Sequence, residues 1–217
     1  MIDAVVMDFD GVIIDSEKLW YVIIRDWLEN NCDYRLKIDE FLICVGSHID
    51  DLISSLKDKG ISFSIPRFLE ETKEDFIERS SQIAEMNGVS SFLRTVKDHG
   101  LLLGLATSSR KEKPYYHLKR LGLFPLFDVI VTAEMVDHIK PAPDLYLLAA
   151  QMLGCEPHRC LAIEDSYNGL LSAQKAGLKT LVIPNEITRN LSLENTDFRC
   201  DSLANLSIEE FISDQKE

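Results

Sequence analysis

The feature that most limits how this chain folds is a series of short apolar runs, each closed by turn residues and followed by a helical pattern. The first is Ala4 to Met7; the others are Leu101 to Ala106, Asp128 to Val131, Cys160 to Ile163 and Thr180 to Ile183. Apolar runs that do not alternate with polar residues suit strands buried on both faces. Parallel sheets with helices on both sides provide that burial. The intervening helices carry their own start and stop signals. Ser109 is placed to cap a helix running to Gly122, with Pro114 in an early turn; Pro143 starts another that ends near Gly154. Ser166 is placed to cap a third that stops at Gly177. From about residue 91 onward this is the α/β alternation of a doubly wound, Rossmann-like parallel-sheet core.

Residues 16–82 interrupt that alternation. Leu19, Val22, Ile23, Trp27 and Leu28 share one face of a helix expected over Glu17 to Asn31, and helices over Ile49 to Lys59 and Arg67 to Met86 follow. The expected organisation is therefore a catalytic core of residues 1–15 plus 83–217, with an α-helical cap of residues 16–82 inserted after the first strand. The acidic tail after Asn205 reads as a last surface helix or a frayed end.

Twenty-three basic against 36 acidic side chains leave a net charge of −13, which argues against nucleic acid as a partner. The five cysteines include no C-x-x-C pair, so neither a disulfide framework nor a zinc site is suggested. The histidines, at 48, 99, 117, 138 and 158, never fall at metal-ligand spacing, and most are expected at the surface. No basic leader segment opens the chain and no apolar run approaches the roughly 20 residues that span a bilayer. The expectation is a cytoplasmic monomer or weak dimer with no membrane partner.

Chemistry concentrates where the apolar runs end. In Asp8-Phe9-Asp10-Gly11 the alternation of extended chain sends both carboxylates to one side, and Gly11 lets the backbone turn. Neighbouring carboxylates repel unless a cation binds them or they share a proton. After the second strand, Thr107-Ser108-Ser109 sets hydroxyls at a helix start, where free N–H groups favour an anion such as phosphate. After the third, Lys140-Pro141 offers a fixed positive charge, and after the fourth comes Glu164-Asp165-Ser166, a second acid pair. Asp8, Asp10 and Asp165 converging would suit Mg2+, which prefers hard oxygen ligands. Each piece alone has an ordinary explanation as a helix cap or solvated turn. Four such strand ends in order, on the side where open α/β sheets bind ligands, make the ordinary explanation improbable.

With these motifs the chain resembles the haloacid dehalogenase superfamily, in its phosphatase and phosphomutase branch with a helical cap. The resemblance rests on Asp8-Phe9-Asp10-Gly11-Val12, Leu105-Ala106-Thr107-Ser108-Ser109, Lys140-Pro141-Ala142-Pro143-Asp144, and Ile163-Glu164-Asp165-Ser166 with Asn168-Gly169. It implies that Asp8 attacks phosphorus to form an aspartyl phosphate. Asp10 then serves as acid and base and lends its backbone carbonyl to magnesium. Thr107, Ser108, Ser109 and Lys140 would bind the phosphoryl group, and Asp165 would ligate the metal. Glu164 would ligate directly or orient a metal-bound water, and both options stay open. The implied activity is magnesium-dependent hydrolysis of a small phosphorylated metabolite: a sugar phosphate, phosphoglycolate or a nucleoside monophosphate. A β-phosphoglucomutase-like phosphomutase is the alternative, and a non-catalytic binding protein on the same scaffold comes third.

In the cap the chain departs from the mutase pattern. Val45-Gly46-Ser47-His48-Ile49-Asp50-Asp51 offers acids where a mutase would show an arginine for a second phosphate, and Trp20 stands where a histidine would. His48 is a candidate for specificity, set against an ordinary solvated loop residue. Trp20 is read either as pocket lining or as cap core.

Overall fold

The computed structural model describes residues 1–45, 49–189, 191, 193 and 195–212. Six strands form one sheet: β1 (Ala4–Met7), β2 (Leu102–Ala106), β3 (Val129–Val131), β4 (Cys160–Glu164), β5 (Lys179–Val182) and β6 (Phe198–Arg199). Every pairing is parallel and the order is β3-β2-β1-β4-β5-β6. The chain winds outward from β1 in both directions, so the sheet is doubly wound and its switch point lies between β1 and β4.

Alternation within β1 explains why its whole run is apolar. Val5 and Met7 pack with Val89, Phe92, Leu93 and Val96 of α5 (Val89–Asp98) on one face. Ala4 and Val6 pack on the other face with Leu145, Tyr146 and Ala149 of α7 (Asp144–Leu153) and Ala173 of α8 (Tyr167–Lys175). Both sets are fully shielded from solvent. The opposite-facing packing is what a parallel strand with helices on each side requires.

The segment between β1 and α5 folds as a helical block: α1 (Ser16–Cys32), α2 (Ile38–Phe41), a 3-10 turn at Leu42–Cys44, α3 (Ile49–Asp58) and α4 (Ile65–Ser81). Its apolar centre is built around Ile24, Trp27, Leu28, Phe41, Leu52, Leu56 and Phe68, and Ile187 from beyond β5 packs into it. The helix expected to reach Met86 stops at Ser81, because the backbone beyond it is used elsewhere. Met86 donates its N–H to the Ile13 carbonyl at 2.8 Å, and Glu85 bridges to Ile14. Both crossings of the chain between sheet and helical block are thereby tied together.

Two further differences from expectation have physical causes. α6 spans Glu112–Arg120 rather than starting at Ser109, since the Lys111 N–H is taken by the Glu134 carboxylate at 3.1 Å and Ser109 faces the cleft instead. The tail is held by α9 (Glu209–Ile212), where Phe211 is buried against the sheet's core and its carbonyl accepts the Ile2 N–H. Ser166 does cap α8, accepting the Gly169 N–H at 3.1 Å. Among the described residues no helix is long and apolar enough to cross a membrane.

Candidate active site

The carboxyl ends of β1 and β2 and the loop after β3 converge on one cleft of about 250 Å³, whose lining includes Asp8, Asp10, Thr107, Ser108, Ser109 and Lys140. The opposite wall belongs to the helical block. At the sheet, Lys140 is 3 % exposed; its Nζ donates to Asp8 Oδ1 at 2.5 Å and to Glu164 Oε1 at 2.7 Å. Burial works against the ammonium, but Asp8 and Glu164 outweigh it and hold the Lys140 pKa above its ordinary value. Glu164 Oε1 also accepts from Tyr146 Oη at 2.6 Å, while its Oε2 accepts from Ser166 Oγ and the Asp165 N–H, each at 3.3 Å.

Asp8, Glu164 and Asp165 each offer a carboxylate oxygen, and these lie within 4.8 Å of one another in a fully buried group. Burial, reinforced by Asp8 and Glu164, pushes the Asp165 carboxyl well above the usual range. Burial likewise raises Asp8, against the pull of Lys140 and with the push of Glu164 and Asp10. Three crowded acids share one ammonium. A hard divalent cation is the partner whose charge and oxygen preference fit this donor set. Two glycines make room for the cluster. A Cβ on Gly169 would lie 2.0 Å from the Glu164 carboxylate, and one on Gly11, at φ +83°, would lie 2.1 Å from Asp165 Oδ2.

The Asp10 carboxylate turns away from this group. It accepts hydrogen bonds from Lys113 Nζ, from Ser16 Oγ and, at 2.6 Å, from Ser109 Oγ. Burial alone would raise its pKa, yet Lys113 and the two hydroxyls hold it below the usual carboxylate range. Thr107 Oγ1 accepts the Ser109 N–H at 3.0 Å, fixing the loop after β2. Ser108 Oγ is the exception: it is buried, belongs to a cleft-lining residue and has no hydrogen-bond partner among the described residues.

The sequence profile of haloacid dehalogenase-like hydrolases matches residues 5–183. The chain belongs to that family. It is 36 % identical over 209 residues to the phosphatase candidate YhcW of Bacillus subtilis, covering 96 % of this chain and 95 % of that one. Hexitol phosphatase B of Escherichia coli is 31 % identical over 196 residues, covering 83 % of each chain. The crystal structure of β-phosphoglucomutase from Clostridium difficile superposes with a TM-score of 0.78 at 25 % identity, over 97 % of this chain and 95 % of that one.

Within this hydrolase the structure brings Asp8, Asp10, Thr107, Ser108, Ser109 and Lys140 to the cleft, with Glu164 and Asp165 buried next to Asp8 and outside the lining. His48 lies outside the described residues, together with Gly46 and Ser47. Asp50 and Asp51 are exposed on the first turn of α3 and do not line the cleft. Glu17 and Ile49 do line it. Trp20 fills both of its alternative roles, lining the cleft while stacking on Phe76 at 4.4 Å between ring centroids. Four participants escaped the sequence reading: Lys113, Ser16, Tyr146 and Asn185, whose Nδ2 donates to Asp165 Oδ2 at 2.6 Å. Asn185 follows the carboxyl end of β5 and was accessible to the same strand-end argument.

Proposed function

We propose that this hydrolase is a magnesium-dependent phosphomonoesterase working through an aspartyl phosphate, with the helical block of residues 16–82 as the cap over its cleft. The observation that carries this reading is the buried Ser108 Oγ, without a hydrogen-bond partner among the described residues, in the cleft that Asp8 and Lys140 also line. A buried hydroxyl without a partner costs about 1–3 kcal/mol, which a phosphoryl oxygen accepting from it would recover. Thr107, Ser108 and Lys140 hold the phosphoryl oxygens, placing phosphorus before Asp8 for in-line attack. Ser109 has a different task from the one expected, since its hydroxyl positions Asp10. Asp10 is ionised in the free site, so it takes up a proton from solvent as substrate binds, gives it to the leaving oxygen, and then takes one from the attacking water.

Asp8, Asp165 and the Asp10 backbone carbonyl would hold magnesium, which supplies charge neutralisation for Asp8 and the phosphoryl oxygens when bound. Glu164 is assigned to positioning, because both its oxygens already accept hydrogen bonds from the protein and one anchors Lys140. Hydrolysis is favoured over mutase chemistry by the cations of the cleft. Lys140 is engaged by Asp8 and Glu164, and Lys113 by Asp10, leaving neither to grip a second phosphate. The named activity of hexitol phosphatase B, a relative over most of the chain, supports the same reading.

The test is release of inorganic phosphate from a panel of phosphorylated metabolites, with and without magnesium, by wild type and by Asp8→Asn. Wild type should release phosphate from at least one monoester and Asp8→Asn from none, with the circular dichroism of both alike. A turnover unaffected by Asp8→Asn would remove the nucleophile from the mechanism.

A further inference from the structure

The cap wall of the cleft carries information about the substrate's leaving group, and reading it depends on the phosphatase assignment. Trp20, Ile24, Phe41, Cys44, Ile49 and Leu69 form that wall, contributed by four helices and the 3-10 turn. Trp20 is fixed rather than adaptable: it stacks on Phe76 with 25° between ring planes and contacts Phe68 at 6.4 Å. Glu17 is the one charged residue that the block adds to the lining among the described residues. On the sheet side both ammonium groups are committed to Asp8, Glu164 and Asp10. A carboxylate or second phosphate on the leaving group would lose its hydration against apolar side chains, face Glu17 and meet no uncommitted ammonium in the described lining.

Size adds a second limit. An apolar cavity of roughly 150 Å³ takes up benzene. A cleft of about 250 Å³ holds the phosphoryl group and one ring-sized substituent within its walls, and a nucleoside would extend past its open side into solvent.

We infer that the substrate is the monophosphate of a small uncharged alcohol, about one six-membered ring in size, which lays an apolar face against Trp20. Phosphoglycolate and bisphosphates are disfavoured by charge, and nucleotides gain no contact with the wall from the part of the nucleoside that lies outside it. A polyhydroxylated sugar is disfavoured wherever its hydroxyls would face the apolar wall.

Benzyl phosphate and phosphoglycolate test this directly, because both are esters of a primary CH2–O group and differ in what that carbon carries. Acetyl phosphate, too small to reach far along the cap wall, reports phosphoryl transfer itself. For wild type, kcat/KM for benzyl phosphate should exceed that for phosphoglycolate and for glucose 1,6-bisphosphate by roughly 100-fold. Trp20→Ala should lower kcat/KM for benzyl phosphate roughly tenfold more than for acetyl phosphate, and Ile49→Lys should shift the preference toward phosphoglycolate. Phosphoglycolate or the bisphosphate turned over as well as benzyl phosphate would overturn the inference while leaving the phosphatase reading intact. Equal loss with benzyl and acetyl phosphate in Trp20→Ala would overturn it too. Failure of wild type to hydrolyse acetyl phosphate or any monoester would remove the phosphatase reading, and this inference with it.

Discussion

His117 on α6 should make stability fall with acidity in a way that one substitution removes. Its side chain is 2 % exposed, with Nδ1 3.2 Å from Arg120 Nη2 and Nε2 3.0 Å from Ser80 Oγ. A guanidinium only donates, so Nδ1 accepts and the proton sits on Nε2, directed at Ser80. Burial, followed by the charges of Arg120 and Lys113, lowers the histidine from 6.5 to about 4. The unfolded chain therefore binds the proton first as pH falls. The neutral ring's contribution is complete above about pH 6.5 and is lost progressively down to about pH 4. A displacement of that size is worth roughly 3 kcal/mol in full, of which roughly 2 kcal/mol should disappear between pH 7 and pH 5. Urea unfolding of wild type and His117→Leu across that range isolates the effect, since the other titrating groups are common to both. The variant should be the less stable at pH 7, having lost one buried and one partly buried hydrogen bond, and the gap should narrow by roughly 2 kcal/mol at pH 5. Parallel curves would show that the buried ring is not what titrates.

Excess chelator should abolish phosphate release and magnesium restore it, while calcium, larger and less strict in geometry, supports it poorly; full turnover in chelator would refute the metal assignment. Gly169→Ala places a Cβ against the Glu164 carboxylate at 2.0 Å, so urea unfolding should show a loss of about 1–3 kcal/mol and phosphate release should fall as Glu164 and Lys140 shift. An unchanged midpoint would mean that the carboxylate has room to move. Incubation with β-glucose 1-phosphate and catalytic glucose 1,6-bisphosphate should yield no rapid isomerisation to glucose 6-phosphate; fast isomerisation with negligible free phosphate would favour the mutase instead.

The sheet was legible because buried parallel strands leave an unbroken apolar run, as in Ala4–Met7, and their carboxyl ends follow from chain order. Asp8, Thr107, Lys140 and Asp165 could be found from that rule alone. β6 could not, being a two-residue exposed edge strand with no apolar run to mark it. Lys113 and Tyr146 lie within helices, and only the packing of α6 and α7 on the sheet turns them toward Asp10 and Glu164. The extra length assigned to α4 came from reading periodicity through residues 82–86, where pairing with Ile13 and Ile14 outcompetes helical hydrogen bonds. Ser109 has the chemistry of a cap, but the Asp10 carboxylate nearby claims its hydroxyl, and Glu134 takes the vacated role.

The hydrogen bond from Ser16 to Asp10 dictates where this protein can be cut and rejoined. Ser16 is the first residue of α1, so it belongs to the helical block by position and to the acid-base machinery by contact. A chimaera that imports a foreign block to change substrate range should be spliced after Ser16, or it will replace one of the groups that keep Asp10 in place. The return junction belongs before Glu85, so that Glu85 and Met86 keep their pairing with Ile14 and Ile13. Grafts joined inside those two points exchange the wall that meets the leaving group; grafts joined outside them exchange part of the catalyst as well.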